Sequence, residues 1–321
     1  MIRRSNLIST FICLTAIFIQ GCSQRELCYD HTHGAIVDIE FDWSLEPDAH
    51  PSTMVVWAFP TGGGTGTRAE FSGVRRDAVT YQMKVPAGNY TMVCYNGDTD
   101  FNRERGNTLT TTVITTDYNS LLSPLNRSDD GAPRPPQSED QPIHNPADHL
   151  YAHIHDTQLN VDEKTGKGHE IVHYTVRFTP QRVSAIWHVR VEDIQNFSSD
   201  LQASAVVTGV AEHWRISTAL PGGNDTTVPF GLTTNDDASL TATFAIFGDV
   251  SPHDVKHYLR IYTTSKYYYT YDITDQVHDA PDPKNVYIVV SGLRLPSADG
   301  TGMTPGVNDW DDTEVVEIPM K

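Results

Sequence analysis

The residues with the clearest catalytic potential in this sequence form the pentapeptide H-E-I-V-H at positions 169–173. On a helix, this spacing puts two imidazoles on one face, where they can bind one zinc ion beside a glutamate general base. The context favours a strand instead, because residues 171–176 are rich in β-branched residues, and apolar and polar residues alternate from Val172 to Val176. In a strand, His169 and His173 would lie about 13 Å apart, too far to share a metal. A zinc hydrolase acting through this histidine pair is therefore a minor alternative, and we expect no enzyme activity and no cofactor.

Cys22 is the second chemically specific residue. Arg3 and Arg4 precede an apolar stretch over residues 7–19. This stretch is shorter than the roughly 20 residues that cross a bilayer, which is typical of a secretory signal peptide. It ends in I-Q-G-C at positions 19–22, which resembles a bacterial lipobox, where the cysteine is acylated and cleavage falls just before it. We predict a signal peptide over residues 1–21 and lipidation of Cys22, which would hold the protein on the outer membrane. An ordinary signal peptide with an unrelated cysteine is the alternative.

Two further cysteines remain once Cys13 leaves with the signal peptide and Cys22 carries lipid. An exported protein meets an oxidising compartment, so Cys28 and Cys94 are candidates for a disulfide. The bond would close a loop of 66 residues and contribute about 4 kcal/mol on the chain-entropy model. Two buried free thiols are the alternative.

Composition and charge exclude several classes of protein. The chain has 321 residues, of which 38% are hydrophobic, and its 23 Lys and Arg face 41 Asp and Glu, a formal net charge of −18. A nucleic-acid-binding protein needs a basic surface for phosphates, so nucleic acid is not expected as a partner. The apolar content is too high for a disordered chain and too dispersed for several membrane spans.

Alternating patterns predict strands on both sides of a proline-rich segment. Six prolines fall between Ser123 and Pro146, where neither a sheet nor a helix is expected. The strand patterns cover residues 37–43, 54–59, 79–85, 90–95 and 110–116 before this segment, and 174–178, 183–191, 205–210, 240–247, 258–263, 267–273 and 286–293 after it. Many short strands separated by turns predict an all-β protein. We divide it into a β-sandwich over residues 22–122, a linker over 123–148 and a second β-sandwich over 149–321.

Several motifs point to one family. They are the lipobox at Cys22, the early strand Ala35–Trp43, the V-P-A-G-N-Y turn at 85–90, L-Y-A at 150–152 and Q-R-V-S-A-I-W at 181–187. Together they resemble the fimbrillin-like lipoproteins of Bacteroidetes, the group that includes the fimbrial anchor (FimB-type) subunits. The resemblance implies two tandem transthyretin-like β-sandwich domains. It also implies a lipid-anchored surface protein that serves as an anchor or accessory subunit of a fimbria.

The implied role requires contact with other fimbrial subunits by strand complementation. In that mode a strand of one subunit enters a groove of its neighbour, and main-chain hydrogen bonds supply the affinity. The chain-end strands Ala35–Trp43 and Glu314–Ile318 are the candidates, unless they simply complete a closed sandwich. The alternative function is glycan binding at the cell surface, through sugar stacking on the tyrosine cluster at residues 267–271.

Substitution of Cys22 tests the lipidation prediction. Cys22→Ser should abolish incorporation of radiolabelled palmitate, because serine lacks the thiol that accepts the lipid. Cys13→Ser, which changes the cysteine inside the predicted signal peptide, should keep full labelling and serves as the control. Labelling of Cys22→Ser at the level of the unsubstituted protein would contradict the prediction.

Overall fold

The computed structural model describes residues 34–75, 79–129, 131–162, 172–250 and 255–295. Cys22, Cys28, His169 and the segment Glu314–Ile318 lie outside the described residues. The first nine strands are β1 (Gly34–Phe41), β2 (Thr53–Pro60), β3 (Thr67–Ser72), β4 (Tyr81–Pro86), β5 (Gly88–Asn96), β6 (Asn102–Arg105), β7 (Val113–Thr116), β8 (Tyr151–Ile154) and β9 (Leu159–Val161). They are followed by β10 (His173–Phe178), β11 (Gln181–Arg182), β12 (Ala185–Glu192), β13 (Ala203–Arg215), β14 (Leu220–Gly231), β15 (Thr233–Thr234), β16 (Leu240–Ile246), β17 (Tyr258–Thr263), β18 (Tyr268–Asp272) and β19 (Asn285–Ser291). A short helix, α1 (Thr274–His278), precedes β19, and a 3-10 turn spans Ser123–Leu125.

The strands form four sheets. The first sheet has the order β10-β1-β4, and the second has the order β11-β8-β5-β2-β3 with β9 on β5. The third sheet has the order β15-β16-β12-β19, and the fourth has the order β18-β17-β13-β7-β6 with β14 on β13. This arrangement confirms the all-β prediction. No helix in the described residues is both long and apolar enough to span a membrane.

The first and second sheets enclose one core. Ala35, Val37 and Ile39 alternate along β1 and are buried, as expected for a strand with one face in a core. They pack with the residues of β2 and β5 that face the first sheet, among them Met54 and Met92. The third and fourth sheets enclose a second core in the same way, with Trp187 of β12 among its members.

Strand β2, in the interior of the second sheet, is buried on both faces. Along β2, Met54, Val56 and Ala58 belong to the first core, while Val55, Trp57 and Phe59 belong to a separate cluster on the opposite face. Trp57 and Phe59 stack with ring centroids 4.9 Å apart. The other side of this cluster consists of residues Ile114, Trp214 and Phe247. An apolar joint therefore connects the two sandwiches.

The two sandwiches also exchange strands. The hairpin of β6 and β7 joins the fourth sheet, where Ile114 pairs with Trp214 of β13. Conversely, β8 to β11 join the first two sheets, and β10 runs parallel to β1. The chain thus crosses between the sandwiches three times, before β6, before β8 and before β12.

The proline-rich segment packs on the second sandwich. Ile143 of this segment is buried with Val206 and Tyr262 of the fourth sheet. The same cluster contains Leu121 and Leu122, which directly precede the segment. Arg260 Nη1 also donates hydrogen bonds to the backbone carbonyls of residues 133 and 134, at 3.1 and 2.6 Å. The segment is therefore held against the sheet, and the division of the chain into domains on either side of it stays a prediction.

Candidate functional site

His173, the second histidine of the H-E-I-V-H pentapeptide, begins strand β10 and is exposed. Its Nδ1 lies 2.8 Å from Oδ2 of Asp38 on the adjacent strand β1. This hydrogen bond, together with one from Gln82, lowers the pKa of Asp38. The expected strand conformation at His173 is thus observed, and its ring pairs with a neighbouring carboxylate.

Cys94 is buried in the first core on β5, and burial raises the pKa of its thiol well above the usual value. Cys94 carries no disulfide within the part of the chain that the structure describes. Because Cys28 lies outside that part, the pairing of Cys28 with Cys94 stays a prediction.

The tyrosine cluster does not form an exposed platform. Tyr267, Tyr268, Tyr269 and Tyr271 are all buried, and three of them belong to the second core. One face of β18 lies in the second core, and Tyr268 on the other face packs against Leu121, Leu122 and Ile143. None of these four rings is exposed for sugar stacking, so the structure does not support the glycan-binding alternative at this cluster.

The predicted strand Ala35–Trp43 corresponds to β1, which is the central strand of the first sheet. It pairs with β10 on one side and β4 on the other. Both of its edges are occupied, so β1 does not offer a groove as it stands.

Two long outer strands, β10 and β19, differ in what they present to solvent. The exposed residues of β10 are His173, Thr175 and Arg177, and charged side chains on an edge strand discourage pairing with another chain. On β19, by contrast, the exposed residues are Tyr287 and Val289, with exposed fractions of 68% and 40%. We therefore take the outer edge of β19 as the candidate functional site.

The position of β19 follows from its inner face. Val286, Ile288 and Val290 point into the second core, so Tyr287 and Val289 must point outward. The strand runs parallel to β12. The Tyr287 ring stacks on the His188 ring of β12, with centroids 4.5 Å apart and planes 14° from parallel. These contacts hold the two outward side chains in a fixed place.

Helix α1 covers the middle of this edge through one side chain. Val289 donates its backbone N–H to Oε1 of Gln276 at 2.8 Å, and Nε2 of Gln276 donates to the carbonyl oxygen of Val289 at 3.1 Å. A side-chain amide carries the same donor and acceptor as a peptide group. Gln276 therefore occupies the place that the backbone of an additional strand would take.

Sequence reasoning did not identify this edge or Gln276. Both faces of V-Y-I-V-V at 286–290 are apolar, so the pattern cannot show which face is exposed. The sequence offered one indication. If Val286, Ile288 and Val290 face a core, the apolar residues Tyr287 and Val289 must lie on the opposite face of the strand.

Residues 21–231 match the protein family described as "Domain of unknown function (DUF5119)". A candidate fimbrium anchoring subunit, Fim4B, from Bacteroides ovatus is 34% identical over 100 residues. That match spans 31% of this chain and 27% of the relative's length.

Solved structures share the fold over most of the chain. A candidate adhesin from Bacteroides ovatus superposes with a TM-score of 0.57 at 19% identity, covering 86% of this chain and 98% of the other. The fimbrial anchor protein Mfa2 from Porphyromonas gingivalis gives 0.52 at 11% identity, covering 80% and 90%. These findings confirm the family resemblance and the β-sandwich fold expected from the sequence.

Substitution of Gln276 tests the cap on the β19 edge. Gln276→Ala removes both hydrogen bonds to Val289, and a typical hydrogen bond contributes about 1 kcal/mol net. Loss of the bond from the Val289 N–H should therefore speed the exchange of this amide with deuterium about 5-fold, since about 1.4 kcal/mol corresponds to a tenfold change. Gln82→Ala, which removes an amide from the first sheet, is the control and should leave Val289 unchanged. Unaltered exchange of Val289 in Gln276→Ala would contradict the proposed cap.

Proposed function

This chain belongs to the family described as "Domain of unknown function (DUF5119)", and we propose that it is an anchor or accessory subunit of a surface fimbria. In this proposal a lipid on Cys22 holds the chain to the outer membrane, and the outer edge of β19 receives a strand of a neighbouring subunit. The protein then acts by assembly and has no catalytic role.

The observation that carries the proposal is that the outer edge of β19 is not paired with another strand among the described residues. Among the described residues, β19 pairs with another strand on one side only. Main-chain groups alternate in direction along a strand, so Tyr287 and Ser291 present theirs to the same side as Val289. Of these three, Val289 is hydrogen-bonded by the amide of Gln276. An incoming strand would replace a single side chain to gain a continuous ladder.

The side chains of this edge suit an added strand. In strand addition, main-chain hydrogen bonds supply affinity and alternate side chains supply specificity. Tyr287, stacked on His188, offers a broad apolar surface beside the edge, and Val289 offers a second contact two residues along. An apolar side chain of the added strand can pack on both.

The comparisons support the fimbrial part of the proposal. The relative in Bacteroides ovatus is named as a candidate fimbrium anchoring subunit, and the Porphyromonas gingivalis neighbour is a fimbrial anchor protein. An N-terminal lipid suits such a role here, because β1 begins at Gly34. The twelve residues from Cys22 to Gly34 span at most about 40 Å when extended, which would keep the first sandwich near the membrane.

A charge on the β19 edge should block assembly. Val289→Lys places an ammonium where the proposal puts an apolar contact, and lysine on an edge strand disfavours strand pairing. Native membranes would be extracted in mild detergent, the protein captured, and the eluate compared by SDS gel before and after boiling. We expect the unsubstituted protein to give a heat-sensitive, SDS-resistant ladder with other fimbrial subunits, and Val289→Lys to lose it.

Leu220→Lys provides the matched control. Leu220 is also an exposed aliphatic residue on a strand, with an exposed fraction of 60%, but it lies at the start of β14. The SDS-resistant ladder of Leu220→Lys should be unchanged. Both variants should unfold at the same temperature as the unsubstituted protein. A ladder that survives Val289→Lys would contradict the role of β19, and the lack of any ladder from the unsubstituted protein would contradict strand addition itself.

A further inference from the structure

Three side chains that commonly bind metal ions meet next to helix α1. Asp249 follows β16, His257 precedes β17 and His278 ends α1. Their nearest nitrogen and oxygen atoms all lie within 4.8 Å of one another. Oδ2 of Asp249 is 3.4 Å from Nε2 of His257 and 3.9 Å from Nε2 of His278. Two imidazole nitrogens and one carboxylate oxygen thus face a common centre.

His257 is held in the form that a metal ligand requires. Its side chain is fully buried, with an exposed fraction of 0%. Nδ1 lies 2.9 Å from the carbonyl oxygen of Thr208 and donates its proton there, since a carbonyl can only accept. In the neutral ring this bond leaves the lone pair on Nε2, and Nε2 has no hydrogen-bond partner in the described part of the chain. A backbone carbonyl on the second ring nitrogen is the usual support for a metal-binding histidine.

The backbone of β13 is shaped to receive His257. The register of β13 against β14 shifts between Val207 and Val210, and Gly209 within this bulge has a φ of +79°. A Cβ at Gly209 would lie 2.7 Å from Val255 Cγ1 and 3.0 Å from Nδ1 of His257. The glycine therefore permits the close approach that brings the carbonyl of Thr208 to the histidine.

The distances fit a metal better than a hydrogen bond. Bonds of about 2.0–2.1 Å from zinc to nitrogen or oxygen put tetrahedral ligand atoms about 3.3–3.4 Å apart. The separation of 3.4 Å between Asp249 and His257 matches this spacing, and that of 3.9 Å to His278 exceeds it by about half an ångström. Both are longer than the roughly 2.7–3.2 Å typical of N–H···O hydrogen bonds.

We propose that Asp249, His257 and His278 form a binding site for a divalent transition metal, with Zn²⁺ as the ion that the ligand set fits best. Imidazole nitrogen with a carboxylate is a common zinc environment, whereas calcium and magnesium prefer oxygen ligands alone. Three protein ligands leave a fourth tetrahedral position for water. No spacing in the sequence marks this site, because its ligands come from three separate segments.

The metal would stabilise the arrangement around β19. His278 ends α1, two residues after Gln276, so zinc would join the helix that covers the β19 edge to the ends of β16 and β17. Zinc binding itself depends only on the three ligands and can be measured without any fimbrial partner.

Zinc titration of the purified protein tests the site. After chelation and dialysis, the protein should bind one Zn²⁺ tightly in competition with a chromophoric chelator, and its unfolding temperature should rise. Asp249→Asn and His278→Gln should each weaken Zn²⁺ binding at least about 100-fold, since loss of an outer-shell partner alone costs 10–100-fold. Both replaced side chains are partly exposed, so the variants should stay folded by circular dichroism. Co²⁺ in place of zinc should give the absorption bands of a tetrahedral site.

His173→Gln is the matched control. It removes a histidine that pairs with an aspartate on an exposed strand and belongs to the H-E-I-V-H pentapeptide. Its affinity for Zn²⁺ should equal that of the unsubstituted protein. Loss of binding in His173→Gln with retention in Asp249→Asn and His278→Gln would overturn the proposal, as would weak binding of several ions that no variant changes. Absence of zinc binding by the unsubstituted protein would also overturn it.

Discussion

The burial of strands β2 and β5 of the second sheet on both faces is the constraint on which the rest of the molecule depends. Its strands β2 and β5 supply alternate residues to two different apolar clusters, so every residue from Met54 to Phe59 is buried. A strand of this kind needs a layer on each side, and neither sandwich provides both. Packing Trp57 and Phe59 against Trp214 of β13 satisfies this need and joins the sandwiches. The exchanged strands reinforce the same joint.

For function, the consequence is that a strand edge with unpaired main-chain groups lies at the outside of a sheet. The joint contains no strand residue of the third sheet, and the last strand of that sheet, β19, keeps one paired and one outer edge within the described residues. A long outer edge with apolar side chains is normally avoided or covered in a soluble protein. Among the described residues, helix α1 and the amide of Gln276 cover this edge. Under the proposed function, the edge that they cover accepts a strand.

The sequence predicted the elements better than the way they combine. Alternation at Val37 and Ile39 located β1 because one face of that strand is buried and the other is solvated. It did not indicate β14, where P-G-G interrupts the pattern, or that β10 would return to the first sheet. Pairing partners depend on tertiary packing, which local patterns do not encode. For the same reason Asp249, His257 and His278 could not be connected, and the sequence could not show that the tyrosines at residues 267–271 are buried while Tyr287 is exposed.

The most direct test of the central claim is a photocrosslink from the β19 edge in native fimbriae. A benzoylphenylalanine replacing Tyr287 would keep an aromatic ring at the site and capture whatever lies within a few ångströms of it. Mass spectrometry of the crosslinked peptides would then identify the contact. The account predicts a crosslink to an extended terminal segment of another fimbrial subunit. A crosslink only to residues 296–321 of this same chain, or none in assembled fimbriae, would contradict it.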